Sequence, residues 1–177
     1  ATRLVLDVRR NATGTYEQGL ALARLFVGKG TLAQRDVKGT PTHETIAAAA
    51  GDGAVTTPLV VLIDRSSASA SEIVAGAIQD LDRGVILGTR SFGKGLVQTI
   101  TPLVYNTQIK ITTAKYYTPS GRCIQEIDYA KRAVDSALGI TPDSLRREFR
   151  TAKGRVAGRG RDLRPRAGLR PRTGGRA

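Results

Sequence analysis

Four serines fall within six positions of one stretch, RSSASASEIVAGAIQD (residues 65–80): Ser66, Ser67, Ser69 and Ser71. The stretch joins an apolar run to a helical pattern, and a helix start presents free N–H groups that favour negative charge on a nearby oxygen. A serine there can be a nucleophile, or simply an N-cap. A serine hydroxyl is a poor nucleophile near neutrality unless a neighbouring base takes its proton. The single histidine, His43, lies in GTPTHET and reads as an exposed loop residue, so a Ser–His–Asp triad has little support. A lysine can serve instead if burial keeps it partly neutral. The candidate is Lys94 in SFGKG, with glycines on both sides and the apolar Phe92, Leu96 and Val97 nearby to desolvate the amine. Read locally, the same segment is also an ordinary surface lysine on a glycine loop. Glu72 is expected to stabilise its helix start through the dipole rather than to join a polar shell around the serine.

The elements that must position these residues follow from the hydrophobic pattern. RLVLDV (3–8) reads as a strand ending in a turn, and Thr15–Val27 as a helix stopped by GKG. Residues 31–57 are weakly patterned, with DVKGTP a plausible hairpin or excursion. PLVVLI (58–63) is apolar on both faces and predicts a strand covered on both sides. A helix follows over Ser69–Asp80, with Ile73, Ala77 and Ile78 along one side. RGVILGT (83–89) is the next strand, and RSFGKGLVQTI a glycine-punctuated loop passing into another. TQIKITTAKYYTP alternates as an amphipathic strand should, and TPDSLRREF (141–149) predicts a short capped helix. Strands alternating with helices argue for an α/β layout with crossover connections.

Composition bounds the rest. With 177 residues, 40% of them hydrophobic and 5% aromatic, the chain suits one domain with an aliphatic core. It contains no methionine, so a processed form or a fragment is expected. One cysteine, Cys123, excludes an internal disulfide and any multi-cysteine zinc site, and one histidine excludes a His-rich centre. The longest apolar run is far too short to span a bilayer as a helix. The net charge of +13 resides mainly in residues 153–177, which hold nine Lys/Arg and one acid. This Arg/Gly/Pro tail is expected to be disordered. An electrostatic grip on nucleic acid is the alternative it offers, but no aromatic is interleaved for stacking, and specific nucleic-acid binding is not expected.

Taken together, LVLDVRRNATG, PLVVLIDRSSASASEIVAGAIQDLDRGVILGTRSFGKGLVQT and KITTAKYYTPSGRCIQ resemble the C-terminal processing peptidases, or tail-specific proteases, almost continuously from Leu4 to about Phe149. The resemblance implies a crotonase-like α/β catalytic core and a Ser–Lys serine peptidase that uses no metal or organic cofactor. It implies Ser69 as nucleophile and Lys94, twenty-five positions downstream, as general base. It also implies Gln98 as the residue orienting that lysine, with an amide that adds no charge to raise its pKa. The implied oxyanion hole combines the backbone N–H of Ala70 with one from the turn after the first strand, at Thr13 or Gly14. That turn departs from the family's DLRNNPGG: here it is DVRRNATG, with Ala12 and Thr13 in place of Pro and the first Gly. If position 13 needs a positive φ, the threonine carries a steric cost. YYTPSGR is similar to turn architecture beside the family's site and is assigned no catalysis.

The resemblance further implies protein or peptide substrates with apolar C-termini and an extracytoplasmic location such as a periplasm or thylakoid lumen. The expected organisation is a catalytic core over 1–152, truncated at its N-terminus and lacking the family's upstream PDZ domain, followed by the basic tail over 153–177. Because the tail departs from the family's usual continuation, a truncation or a frame shift near Gly154 is expected. A catalytically silent homologue or fragment is the alternative to an active peptidase.

Overall fold

The computed structural model describes residues 1–41, 43–126, 147–159 and 167–168. Strand β1 (Leu4–Asp7) leads into helix α1 (Tyr16–Phe26), and an antiparallel hairpin of β2 (Thr31–Val37) and β3 (His43–Ala47) follows. Strand β4 (Leu59–Ile63) then runs into helix α2 (Ala70–Asp80), which returns to β5 (Val85–Gly88). The glycine loop enters β6 (Leu96–Pro102), which pairs with the long β7 (Gln108–Tyr117). The short strands β8 (Glu148–Arg150), β9 (Val156–Arg159) and β10 (Ala167–Gly168) complete the described chain.

Two sheets of opposite character result. One is parallel, in the order β1-β4-β5-β10, and the other antiparallel, in the order β3-β2-β7-β6. The β4–α2–β5 connection is the crossover that parallel pairing demands. Thr15 caps α1 reciprocally with Gln18: the Gln18 N–H donates to Thr15 Oγ1 at 3.2 Å, and the Thr15 N–H to Gln18 Oε1 at 2.9 Å.

Helix α2 lies between the sheets, and every one of its residues is buried. This explains its wealth of Ala and Gly: a helix enclosed on all sides has no polar face to present. Val74, Ala75 and Ile78 pack towards the parallel sheet with Val61, Ile63 and Ile86. Ile73 and Ala77 face the second core cluster, with Leu20, Ala23, Leu32 and Tyr116. The three residues expected on one side are therefore divided between two cores. At the α1–α2 crossing, a Cβ on Gly19 would lie 3.1 Å from the Ala70 Cα, so the helix backbones nearly touch there.

Three expectations are corrected. Strand β4 is not covered on both faces: Leu59, Val61 and Ile63 are buried, whereas Val60 and Leu62 are only half-buried and Val5 beside them on β1 is 66% exposed. Among the described residues the helices fill one side of this sheet. The helix predicted over 141–149 lies outside the described residues as far as 146, and its end is a strand, because Glu148 and Phe149 belong to β8 and pair with β9. Disorder does not begin at residue 153. The Lys153 N–H donates to Asp82 Oδ2 at 2.7 Å, Arg155 pairs with Asp82, and Ala157 is buried. The Ala152 N–H also donates to the Asp80 carbonyl at 2.7 Å, at the C-terminal end of α2.

Candidate active site

The head of α2 is shaped by hydrogen bonds from the two strands beside it. Ser67 Oγ donates to the Val8 carbonyl at 2.8 Å and accepts the Asp64 N–H at 2.9 Å. The Asn11 carbonyl accepts both the Ala68 N–H at 3.0 Å and Ser71 Oγ at 2.9 Å. Asp64 Oδ1 accepts the N–H groups of Arg10 and Ser66. The hydroxyls of Ser67 and Ser71 are thus spent on fastening the turn after β1 to the turn after β4. Ser69, at the tip, has φ 58° and ψ −116°, a conformation that costs a non-glycine residue about 1–3 kcal/mol and persists only when its surroundings enforce it.

Ser69 lines a cleft of about 400 Å³ together with Gly14, Ile73, Lys94, Gln98 and Tyr116. The structure therefore brings together the serine, the lysine and the glutamine singled out in the sequence. Their side chains make no direct hydrogen bond to one another among the described residues. Phe92, expected to help desolvate Lys94, points outward and is 58% exposed. Leu96 and Val97 do line the cleft, and Ile73 and Tyr116 supply the rest of its apolar wall.

Gln98 lines the cleft from β6, beside a register step in the β6–β7 pairing. Val97 pairs with Ala114 and Gln98 with Thr112, so β7 is advanced by one residue between them.

Glu72 overturns its expected role. It is completely buried, and both carboxylate oxygens are engaged. Oε1 accepts Ser91 Oγ at 2.6 Å and the Gly93 N–H at 2.7 Å; Oε2 accepts the Ser69 N–H at 3.0 Å and the Lys94 N–H at 2.8 Å. One carboxylate therefore fixes the backbone of both Ser69 and Lys94. Burial raises its pKa, against the pull of these four donors. The sequence signal was present, since serine with glutamate three residues on is a capping box, but that signal reports only the Ser69 end.

The lysine loop is held from the other side as well. The Tyr116 phenol donates to the Lys94 carbonyl, and the Gly95 carbonyl accepts the Tyr116 N–H at 3.0 Å. Burial pushes the phenol well above its ordinary range, and the Glu72 charge adds to that, while the Ser69 side chain pulls the other way. The flanking glycines are required by close approach: a Cβ on Gly93 would fall 2.6 Å from Glu126 Cβ, and one on Gly95 2.5 Å from the Gln125 nitrogen.

The turn after β1 places its positive φ at Arg10 (58°) and Gly14 (108°), and not at Thr13. The departure from glycine at position 13 therefore carries no such backbone cost. Gly14 abuts the residue after Ser69, because a Cβ on it would lie 2.8 Å from Ala70 Cβ. Neither the Gly14 nor the Ala70 N–H has an acceptor among the described residues. His43, by contrast, opens β3 rather than a loop, and its ring engages Asp36 and Gln34 on the β2–β3 hairpin, outside the cleft.

A buried helix whose strained first turn shares a cleft with a lysine, set between a parallel and an antiparallel sheet, is an α/β arrangement on which a hydrolytic site can be built. The chain belongs to peptidase family S41, whose profile matches residues 1–145. It is 45% identical over 141 residues to a carboxy-terminal-processing protease of Bartonella bacilliformis, covering 78% of this chain and 30% of that protein. A chloroplastic C-terminal processing peptidase of Tetradesmus obliquus is 40% identical over 143 residues, covering 80% and 29%. The solved structure of a photosystem II D1 C-terminal processing protease superposes with a TM-score of 0.60 at 42% identity, covering 71% of this chain and 32% of that one. The chain thus spans about a third of the length of these relatives.

Proposed function

We propose that this chain carries the catalytic centre of a serine endopeptidase that cuts proteins near apolar C-terminal tails, on a crotonase-like core. Lys94, in its neutral form, takes the Ser69 proton as Oγ attacks the scissile carbonyl. The N–H groups of Ala70 and Gly14 receive the oxyanion, with Gly14 rather than Thr13 as the donor from the turn. The tetrahedral intermediate expels the amine, which leaves with the proton from Lys94, and an acyl-enzyme remains on Ser69. Water, deprotonated by Lys94, then releases the acid and restores the serine. Gln98 offers an uncharged amide to orient the lysine, and Glu72 is a positioning residue that holds the two partners' backbones in register. The single observation that supports the reading most is the Glu72 carboxylate bound to the N–H of Ser69 and of Lys94 together.

The substrates are proteins or peptides with apolar C-termini, and the location is extracytoplasmic, as the family resemblance implies. The reading is tested by incubating the folded chain with unstructured peptides bearing apolar free C-termini, beside Ser69→Ala and Lys94→Ala, with products read by mass spectrometry. Cleavage by the parent and by neither variant is expected. A well-folded parent that leaves every peptide intact marks the chain as catalytically silent on its own.

A further inference from the structure

We infer that the tip of the β6–β7 ribbon seats on the surface of an anionic lipid bilayer, a property separate from the peptidase reading above. Strand β2 pairs with β7 over Ala114–Tyr117, and the Lys38 N–H donates to the Thr113 carbonyl at 2.8 Å. Beyond Thr113 the ribbon has no third strand among the described residues. Outward of the register step its pairing is regular, from Gln98 with Thr112 to Pro102 with Gln108. Ile100 and Lys110 therefore share one face, and Ile109 and Ile111 the other, with Thr99 and Thr101. All three isoleucines are exposed, and so are the residues of the tip: Leu103, Val104 at 74% and Tyr105 at 94%. A two-stranded ribbon with apolar side chains on both faces and across its end is marginal in water on its own.

Thr107 closes the tip. Its N–H and its hydroxyl both donate to the Val104 carbonyl, at 3.3 and 2.8 Å, and its own carbonyl accepts the Leu103 N–H at 2.9 Å. These backbone groups enter a less polar medium already paired. Tyr105 and Asn106 hold φ of 56° and 55°, as a type I′ turn demands. A tyrosine in that region carries strain, and its exposure shows that it gains no burial within the fold in return. A groove on a protein covers one face of a ribbon, whereas a bilayer interface surrounds an inserted tip, and tyrosine suits that boundary. Charge selects the lipid. Residues 83–125 contain six Lys/Arg and no Asp or Glu, and Lys110 lies two pairs behind Pro102, where it can reach headgroup phosphates. Ile100 and Lys110 also line the cleft of Ser69, so a chain seated by its tip holds that cleft close to the lipid.

The test places one tryptophan at the tip, as Tyr105→Trp in the full chain, which has no other tryptophan. Its emission is read with vesicles of phosphatidylglycerol and phosphatidylcholine in equal parts, and with phosphatidylcholine alone. On the mixed vesicles the emission should move to the blue and be quenched by lipid brominated in its acyl chains. Val5→Trp, on the exposed face of β1 in the otherwise native chain, should show neither change. Leu103→Ser with Val104→Ser, beside the tip reporter, should weaken partitioning about tenfold, and Lys110→Gln about fivefold. Circular dichroism should match the parent in each case, since every changed residue is exposed. Sedimentation with the mixed vesicles but no blue shift at residue 105 would mean that the basic tail alone adsorbs, and overturns the inference. A shift of equal size on phosphatidylcholine alone removes the anionic requirement and does the same. A blue shift that grows with protein concentration in the absence of lipid assigns the tip to a second copy of the chain and overturns it too. So does a chain that stays in solution with both kinds of vesicle.

Discussion

Gly14 and Ala70 meet so closely that a methyl group on the glycine would lie 2.8 Å from the alanine's own. The contact joins the turn after β1 to the first turn of α2. Gly14→Ala combines this clash with a φ of 108°, which an L side chain rarely adopts. The expected outcome is a loss in kcat of about 10²-fold, the usual effect of removing one oxyanion donor, with KM little changed. Thr13→Gly should leave kcat within about threefold, the change expected where no interaction with the reacting carbonyl is lost. Steady-state kinetics on a cleaved peptide check both, and the reverse order of effects would assign the donor to Thr13.

Glu72→Gln cannot reproduce four accepted hydrogen bonds, because its NH₂ must face two donors. A destabilisation of about 2–4 kcal/mol is expected, together with loss of activity through a displaced Lys94 loop. Burial raises the Glu72 pKa above its ordinary 4.5, so the folded protein keeps a proton over a window in which the unfolded chain has lost it. Its contribution is full below pH 4.5 and is lost as pH rises through the folded value. Urea midpoints measured across that window should fall for the parent and lack this slope in Glu72→Gln.

Asp82 behaves in the opposite sense. Burial works against its charge, but the Thr151 hydroxyl, the Lys153 N–H and Arg155 together hold its pKa below 3.8. Its contribution is present above pH 3.8 and is lost as pH falls through the folded value. Asp82→Asn at neutral pH should release residues 151–157 from the end of α2. Amide hydrogen exchange there should quicken by about tenfold, as loss of a charge-assisted contact worth about 1.4 kcal/mol predicts. Unchanged protection would count against the anchor.

Arg122 is fully buried and reaches Asp80 at 3.1 Å, Gln79 Oε1 at 2.9 Å and the Ala157 carbonyl at 3.2 Å. Arg122→Met strips Asp80 of its cation while leaving the Ser120 N–H and hydroxyl on its other oxygen. A loss of about 3 kcal/mol is expected, read as a lower denaturant midpoint. Below the new melting temperature KM should hold, since Arg122 lies at the far end of α2 from Ser69. A stability loss under about 0.5 kcal/mol, the range of ordinary surface substitutions, would mean the ion pair is idle.

The sequence by itself determined the elements and the chemical parts. Period-2 and 3.6-residue patterns located β1, α1, β4, α2, β5 and β7, because each pattern reports burial along a single element. The family resemblance carried by SASASE, FGKG and YYTPSGR, in that order, is what pointed to Ser69 and Lys94. What only the tertiary structure decided are matters of contact between distant segments. A serine followed three residues on by glutamate looks the same whether it merely caps a helix or, as here, also binds a loop about twenty residues away. The positive φ at Gly14 rather than Thr13 depends on how that turn abuts α2. Residues 151–157, which read as the edge of a charged tail, are ordered because Asp80, Asp82 and Arg122 hold them. Local spacing encodes which face of an element is apolar; where a buried carboxylate finds its donors is settled only when the chain has closed around it.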